Sequence, residues 1–461
     1  MTPRFFRRNA VPIKSSTTPP VKRRRTQDLI PITSCDQSWI YSVGITELIG
    51  EWRFETGNRF FRHSRESKRE KHGRGWRESY FFHFVGEQAA IPSVIGFTID
   101  MRKLILLFAA IAAIVLTSGL FTAAEKIVGG PFVVGVTGKT ARVAWIVKED
   151  EVSLRTVAGN AVTSPSLRVQ ATSFTDLQPN TRYEYNVGLL GESGKGSFKT
   201  APADAQPFRF LVYGDNRTRH DVHRQVVSQI LKHGIPDLVL QTGDMVEDGN
   251  NSAQWPVFFQ IENELLRQTA FFPALGNHER NTHYFEDIFH EGAPYYSFDW
   301  GNAHFTVIDS DIANISRHER EQSIFWNEQT RWLEEDLLAN QKADFRFVMA
   351  HHPPFTAVAS RQGNNQHMTA LTPMFEKYHV SAAFFGHDHN YQHFFKNGIH
   401  YVTTGGGGAP LYDVSKPPEG ITLKAVRIEH FVSVSVDGKT ARFQAIAIDG
   451  RTIEEFQIEA R

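Results

Sequence analysis

The stretch Asp237-Leu-Val-Leu-Gln-Thr-Gly-Asp244 carries an apolar run into a glycine and then a carboxylate. That order predicts a buried strand that emerges, turns sharply and holds the carboxylate at its tip. Four other runs end the same way. Phe208-Arg-Phe-Leu-Val-Tyr-Gly214 delivers Asp215, and Phe271-Phe-Pro-Ala-Leu-Gly276 delivers Asn277, His278 and Glu279. Phe345-Arg-Phe-Val-Met-Ala350 delivers His351 and His352, and Val380-Ser-Ala-Ala-Phe-Phe-Gly386 delivers His387 and His389. In α/β sheets, ligands bind beyond the carboxyl ends of strands. Strands sharing one sheet would bring these tips to one place. Hard oxygen and imidazole ligands gathered there suit two metal ions, with Asp244 the natural bridge between them.

Outward from this core the chain divides by composition. Its 461 residues leave room for two or three domains. Residues 1–100 hold 17 Lys and Arg against 10 Asp and Glu, which leaves 33 against 40 in the remainder. The catalytic part therefore has no broad basic surface for nucleic acid. Clusters such as Val21-Lys-Arg-Arg-Arg25 alternate in residues 1–100 with short aromatic patches and no sustained period. A basic arm, disorder and translation from an upstream start are the three readings. The last is preferred, because a leader-like order begins at Met101. Met101-Arg-Lys103 precedes an unbroken apolar run over 104–116 and the small residues Thr122-Ala-Ala124. Charged, then apolar, then small is the order of a secretory signal peptide, so residues 101–124 predict export to a periplasmic or extracellular space. An uncleaved membrane anchor is the competing reading. The single cysteine, Cys35, lies in the basic segment, so no disulfide constrains the rest.

Residues 127–201 predict a small β-sandwich. Ala141-Arg-Val-Ala-Trp-Ile-Val147 reads as a strand with Trp145 as core anchor, and Leu177-Gln-Pro-Asn-Thr-Arg-Tyr183 as a turn into another. The latter resembles the Leu-x-Pro-x-Thr-x-Tyr stretch of fibronectin type III domains, which implies a tyrosine corner. After the linker at 201–207, residues 207–461 predict an α/β domain with two mixed β-sheets flanked by helices. Helical spacing appears at 221–233 and 329–338, and Asp437-Gly438 between apolar strands predicts a hairpin that extends a sheet.

Together Gly214-Asp215, Gly243-Asp244, Gly276-Asn-His-Glu279, His351 and Gly386-His-Asp-His389 resemble the calcineurin-like metallophosphoesterases, closest to the purple acid phosphatase branch. The resemblance covers roughly 127–461 and implies two metal sites. One takes Asp215, Asp244 and His389, and the other Asp244, Asn277, His351 and His387. It implies iron, manganese or zinc as the ions and a phosphate-ester small molecule as the substrate. Such an ion pair activates a water and clamps the oxygens of an in-line displacement. Asp244 and His278 are then the catalytic residues, with His278 approaching the substrate and its leaving oxygen.

Two positions depart from the family pattern. Glu247 stands where purple enzymes carry a tyrosine ligand, which argues against a coloured ferric site and leaves Tyr391 as the next tyrosine to consider. Arg217 stands where many relatives place a ligand histidine. An arginine cannot ligate a metal, but its fork suits a phosphate oxygen; the alternative is a surface pair with Asp221. His220 or His223 could supply the missing ligand, or lie on the following helix as surface residues. His352 is expected to line the site, and His367 to reach substrate or sit in solvent. Tyr391 and His393 are expected behind or beside the ligands, and Gly405-Gly-Gly-Gly408 is read as a tight turn nearby. The leading function is a phosphomonoesterase. A phosphodiesterase on nucleotides or phospholipid headgroups and a binding module without turnover are the alternatives. Substrate choice is expected in the loops 311–328 and 356–370.

Overall fold

A computed structural model describes residues 67–68, 79–80, 127–148, 153–155, 161–163, 167–289 and 294–460. The signal-like run 101–124, Cys35 and nearly all of the basic segment lie outside the described residues. No helix among the described residues is long and apolar enough to cross a membrane.

Two sheets carry the chain. The first begins with β1 (Ile127–Val134), β2 (Ala141–Lys148) and β3 (Leu167–Phe174). It continues with β4 (Phe208–Tyr213), β5 (Leu238–Gln241) and β6 (Ala270–Pro273). The second holds β7 (Tyr296–Trp300), β8 (Ala303–Val307), β9 (Phe345–Met349) and β10 (Ala382–Phe385). It is completed by β11 (Tyr391–Lys396), β12 (Ile399–Thr404) and β13 (Thr422–Val426). The chain then returns to the first sheet with β14 (His430–Asp437), β15 (Thr440–Ala447) and β16 (Thr452–Glu459). The spatial orders are β16-β15-β14-β4-β5-β6-β1-β2-β3 and β7-β8-β9-β10-β12-β11-β13. β4, β5 and β6 are mutually parallel, as are β8, β9, β10 and β12.

Parallel strands covered on both faces read as continuous apolar runs, and β5, β6, β9 and β10 are buried throughout. Their inner faces meet between the sheets. Phe210 on β4 reaches across to Phe305, Phe347 and Phe384, with ring centroids 5.3, 5.4 and 5.9 Å away. Trimming such a ring to alanine costs about 3–5 kcal/mol. The outer face of the first sheet, including Leu211, Val239 and Phe271, packs under α1 (His220–His233) and α2 (Gln254–Leu266) through Val226, Ile230 and Phe258. The outer face of the second packs Val348, Ala383 and Phe385 against Leu333 and Leu337 of α3 (Glu319–Ala339). The order of layers is helix, sheet, sheet, helix.

Several sequence expectations change here. The strands of the expected small sandwich are present, but β1–β3 continue the first sheet, with Val133 beside Ala270 of β6. The physical reason is that both faces of β1 are apolar. Val133 faces the intersheet core, while Phe132 and Val134 lie under the helical layer. The strands Arg182–Asn186 and Lys195–Lys199 pair separately. Tyr183 at their corner accepts the Gln178 N–H at 2.9 Å, the hydrogen bond of a tyrosine corner. Trp145 is half-buried rather than a core anchor, because its indole N–H turns to Gln170 on edge strand β3 at 2.9 Å. The segment 311–328 is not an open loop: a short helix spans Ile312–Ile315, and α3 begins at Glu319. The hairpin at Asp437-Gly438 forms and extends the first sheet, and β16 adds a further strand.

Candidate metal centre

The tips that carry the candidate ligands come from both sheets. β4, β5 and β6 deliver Asp215, Asp244 and Asn277, while β9 and β10 deliver His351, His387 and His389. The backbone at the tips is unusual. Asp215, Asp244 and His387 hold φ of 58°, 58° and 67°, a left-handed conformation uncommon for non-glycine residues and shared here with turn residues such as Asn180 and Asn397. Gly243 precedes Asp244 at φ 97°, and a Cβ on Gly276 would run into the Asp244 backbone and carboxylate. Close approach of two loops therefore requires Gly276.

Two acceptor clusters flank Asp244. Ligand atoms of Asp215, Asp244 and His389 lie within 4.8 Å of one another, as do those of His351, His352 and His387. In the second cluster Asn277 Oδ1 sits 3.0 Å from both His351 Nε2 and His387 Nδ1, which are 3.3 Å apart. His351 Nδ1–H donates to the Thr242 carbonyl at 2.8 Å, so its Nε2 carries a lone pair. Nε2 and Asn277 Oδ1 thus face each other with no proton between them. Such a contact repels unless a cation lies between, and spacings of about 3.0–3.4 Å are the ligand–ligand edges expected for metal–ligand bonds of about 2.1 Å. His389 is oriented in the same way, its Nδ1–H donating to the Pro410 carbonyl at 2.7 Å and its Nε2 lying 3.4 Å from Asp215 Oδ1. The residues present fit a pair of ions.

The electrostatics agree. Burial pushes His351 down to about 3 and His389 to about 4, so both imidazoles are neutral. Burial first, and the Asp244 charge second, push Asp215 well up. Neutral imidazoles beside two desolvated carboxylates want a cation.

The two Asp244 oxygens have different neighbours. Oδ1 lies 3.4 Å from His351 Nε2 and accepts the His278 N–H at 3.0 Å. Oδ2 lies 3.5 Å from Arg217 Nε and 3.9 Å from His278 Nε2. The His278 ring is fixed by its Nδ1–H, which donates to the Glu247 carbonyl at 2.7 Å. Arg217 pairs with Glu247, not with Asp221, and its buried Nε–H has no hydrogen-bond partner.

His223 is a correction. It is buried on α1, not a surface residue and not at the metal cluster, and its Nε2 meets Glu262 at 2.5 Å. Tyr391 and His393 are also displaced from their expected place. Both are buried in the sheet core, and both contact Glu454, at 2.7 and 3.2 Å. His352 Nδ1 meets Ser310 Oγ at 3.0 Å, and its ring stands 4.3 Å from that of His387. His367 lies one ring further out, 6.3 Å from His352, with its Nε2–H donating to the Ser310 carbonyl at 3.1 Å. Gly407 donates its N–H to Gly214 and Ala409 to Asp215, so the glycine run lies directly against the first tip.

Sequence reasoning flagged Glu279 without its role and missed the other supports. Glu279 is buried, and its carboxylate accepts the N–H groups of Asp244, Met245, Val246 and Gly276 at 2.8, 2.8, 3.3 and 2.8 Å. It is a clamp on the Asp244 turn rather than a ligand. Asp388 accepts from Thr356, Arg361 and Gln392 and so ties the histidine loop to segment 356–361. Arg361 also stacks over Tyr412, whose ring lies on His389 at 4.2 Å. Gln241 donates to Asn216 and Gly243, linking the first two tips. The motif spacing flagged Glu279, while the other supports carry no local signal.

Fold and site together define a metallophosphoesterase. Residues 208–391 match the family model described as calcineurin-like phosphoesterase, so the chain carries a domain of that family. Acid phosphatase type 7 of Mus musculus is 24% identical over 300 residues, covering 59% of this chain and 67% of that protein. Probable inactive purple acid phosphatase 1 of Arabidopsis thaliana is 22% identical over 311 residues, 52% of this chain and 49% of its own length. The chain thus spans about two thirds of one relative and half of the other. The solved purple acid phosphatase of yellow lupin superposes with a TM-score of 0.57 at 18% identity, over 71% of this chain and 74% of that one, and shares the fold.

Proposed function

We propose that the chain is a dinuclear-metal phosphomonoesterase. The observation that carries the reading is the pair of acceptor clusters beside Asp244, one of Asp215, Asp244 and His389 and the other of histidines joined by Asn277 Oδ1. When bound there, iron, manganese or zinc supplies Lewis acidity and an activated water for in-line displacement at phosphorus. The chain's own residues orient and neutralise. Asp244 joins the clusters, and Glu279 fixes its turn. His278 presents Nε2 beside Asp244 Oδ2; in its protonated form it donates to the departing alkoxide. Arg217 offers its Nε–H, which makes no hydrogen bond and stands 3.5 Å from Asp244 Oδ2, to a phosphate oxygen. His367, behind His352, is placed to meet the far side of a substrate.

The test is a paired assay of aryl phosphate monoester and diester with iron, manganese and zinc supplied separately. Monoester turnover that depends on added metal is expected. Preference for the diester would replace the substrate class. Full metal occupancy without either turnover would favour a binding module, a reading to weigh because one relative is named as inactive. We also propose export, resting on the signal-like order of residues 101–124. Retention inside expressing cells of a chain beginning at Met101 would refute it.

A further inference from the structure

We infer that Arg217 and Glu247 make the Asp215–Asp244–His389 cluster the weaker, exchangeable site for a divalent ion, and leave the Asn277–His351–His387 cluster as the tight one. The inference rests on the proposed metal-dependent reading and concerns only how the two sites differ.

Three observations carry it. The first is position. Arg217 Nε stands 3.5 Å from Asp244 Oδ2, while Oδ1 of the same carboxylate faces His351. The guanidinium therefore leans on one half of the bridge. The second is unequal screening. The Arg217 side chain is 12% exposed and its partner Glu247 is 45% exposed. Water screens the Glu247 charge more than the Arg217 charge, so the pair is not neutral from within the site. The third is ligand number. The cluster has three protein ligands, and neither Arg217 nor the engaged Glu247 completes it. In the other cluster Asn277 contacts both His351 and His387, Asp244 Oδ1 lies 3.4 Å from His351, and His352 stands beside His387. A fixed cation beside a three-ligand site repels a metal ion and disfavours a trivalent one most. The two departures from the family pattern thus form one unit, and it acts on one site.

The experiment is equilibrium dialysis of the full chain, stripped with chelator, against buffered manganese, with bound ion counted by mass spectrometry. Wild type should show two classes of site. Arg217→Gln should raise the affinity of the weaker class roughly tenfold or more while leaving the tight class unchanged. Glu247→Gln, which removes the counter-charge from an exposed position, should lower the weaker class further. His351→Ala should abolish the tight class and so identify it. Two equivalent tight sites in wild type would overturn the inference. So would an Arg217→Gln protein with an unchanged or weakened second class. Binding of no ion by any variant would instead sink the metallophosphoesterase reading.

Discussion

Replacing Glu279 with glutamine should loosen the site more than any comparable change outside the ligands. The carboxylate accepts four backbone N–H groups, two on each oxygen. The amide keeps the shape but turns one acceptor pair into a donor facing two N–H groups. Each lost charge-assisted hydrogen bond costs about 1.5–3 kcal/mol, so two cost about 3–6 kcal/mol. Removing a buried negative charge beside Asp244 gives part of this back, and a net loss of about 2–4 kcal/mol is expected. The total stability of a domain is only about 5–15 kcal/mol. Because the same bonds hold Asp244 at φ 58°, the bridge should lose its position along with the stability. Urea denaturation with and without chelator, alongside bound-metal analysis, reads both effects. An unchanged midpoint with full metal occupancy would show that Glu279 does not hold the turn.

Four further outcomes rest on the same geometry. Arg217→Ala, assayed at saturating metal, should raise KM for an aryl phosphate several-fold and weaken inhibition by inorganic phosphate; unchanged values would remove Arg217 from the substrate site. The iron-loaded protein should be at most weakly coloured, since Glu247 is paired with Arg217 and the Tyr391 hydroxyl is held by Glu454; a strong visible band would contradict both assignments. His304 is pulled down by burial but carried up to about 9 by hydrogen bonds and charge from Asp299 and Asp336. Its raised pKa adds stability that is complete below about 6.5 and lost as pH rises through about 9, on the order of 2 kcal/mol after allowing for the exposure of Asp299; denaturation midpoints of His304→Gln and wild type should converge at alkaline pH. Tyr183→Phe should cost about 1 kcal/mol for the lost corner bond, read as a shift in the thermal midpoint.

The ligand tips are legible in the sequence for a physical reason. A parallel strand buried on both faces is mostly apolar, so a carboxylate, amide or imidazole just past its end stands out even where one polar residue such as Gln241 or Arg346 lies within the strand. Asp215, Asp244, Asn277, His351, His387 and His389 all sit at such exits. What stays hidden depends on partners far along the chain. β1 joins the first sheet because α2, more than a hundred residues later, covers Phe132. His223 is buried because Glu262 of α2 meets it. Arg217 turns to Glu247 rather than Asp221 because the β5 turn brings Glu247 beside the β4 tip. Trp145 reads as apolar by type, but its N–H draws it to the edge. Local pattern reports what an element buries, and it does not report which element does the covering.

The central claim is that Asp244 joins two ion sites. It is tested most directly by counting ions per chain in wild type and Asp244→Asn under identical free-metal buffering. The account expects two ions per wild-type chain when metal is saturating and a clear loss from both clusters in the variant, because the proposed bridge loses its charge beside His351 on one side and in the Asp215–His389 group on the other. An Asp244→Asn protein that keeps both ions at wild-type affinity would contradict it.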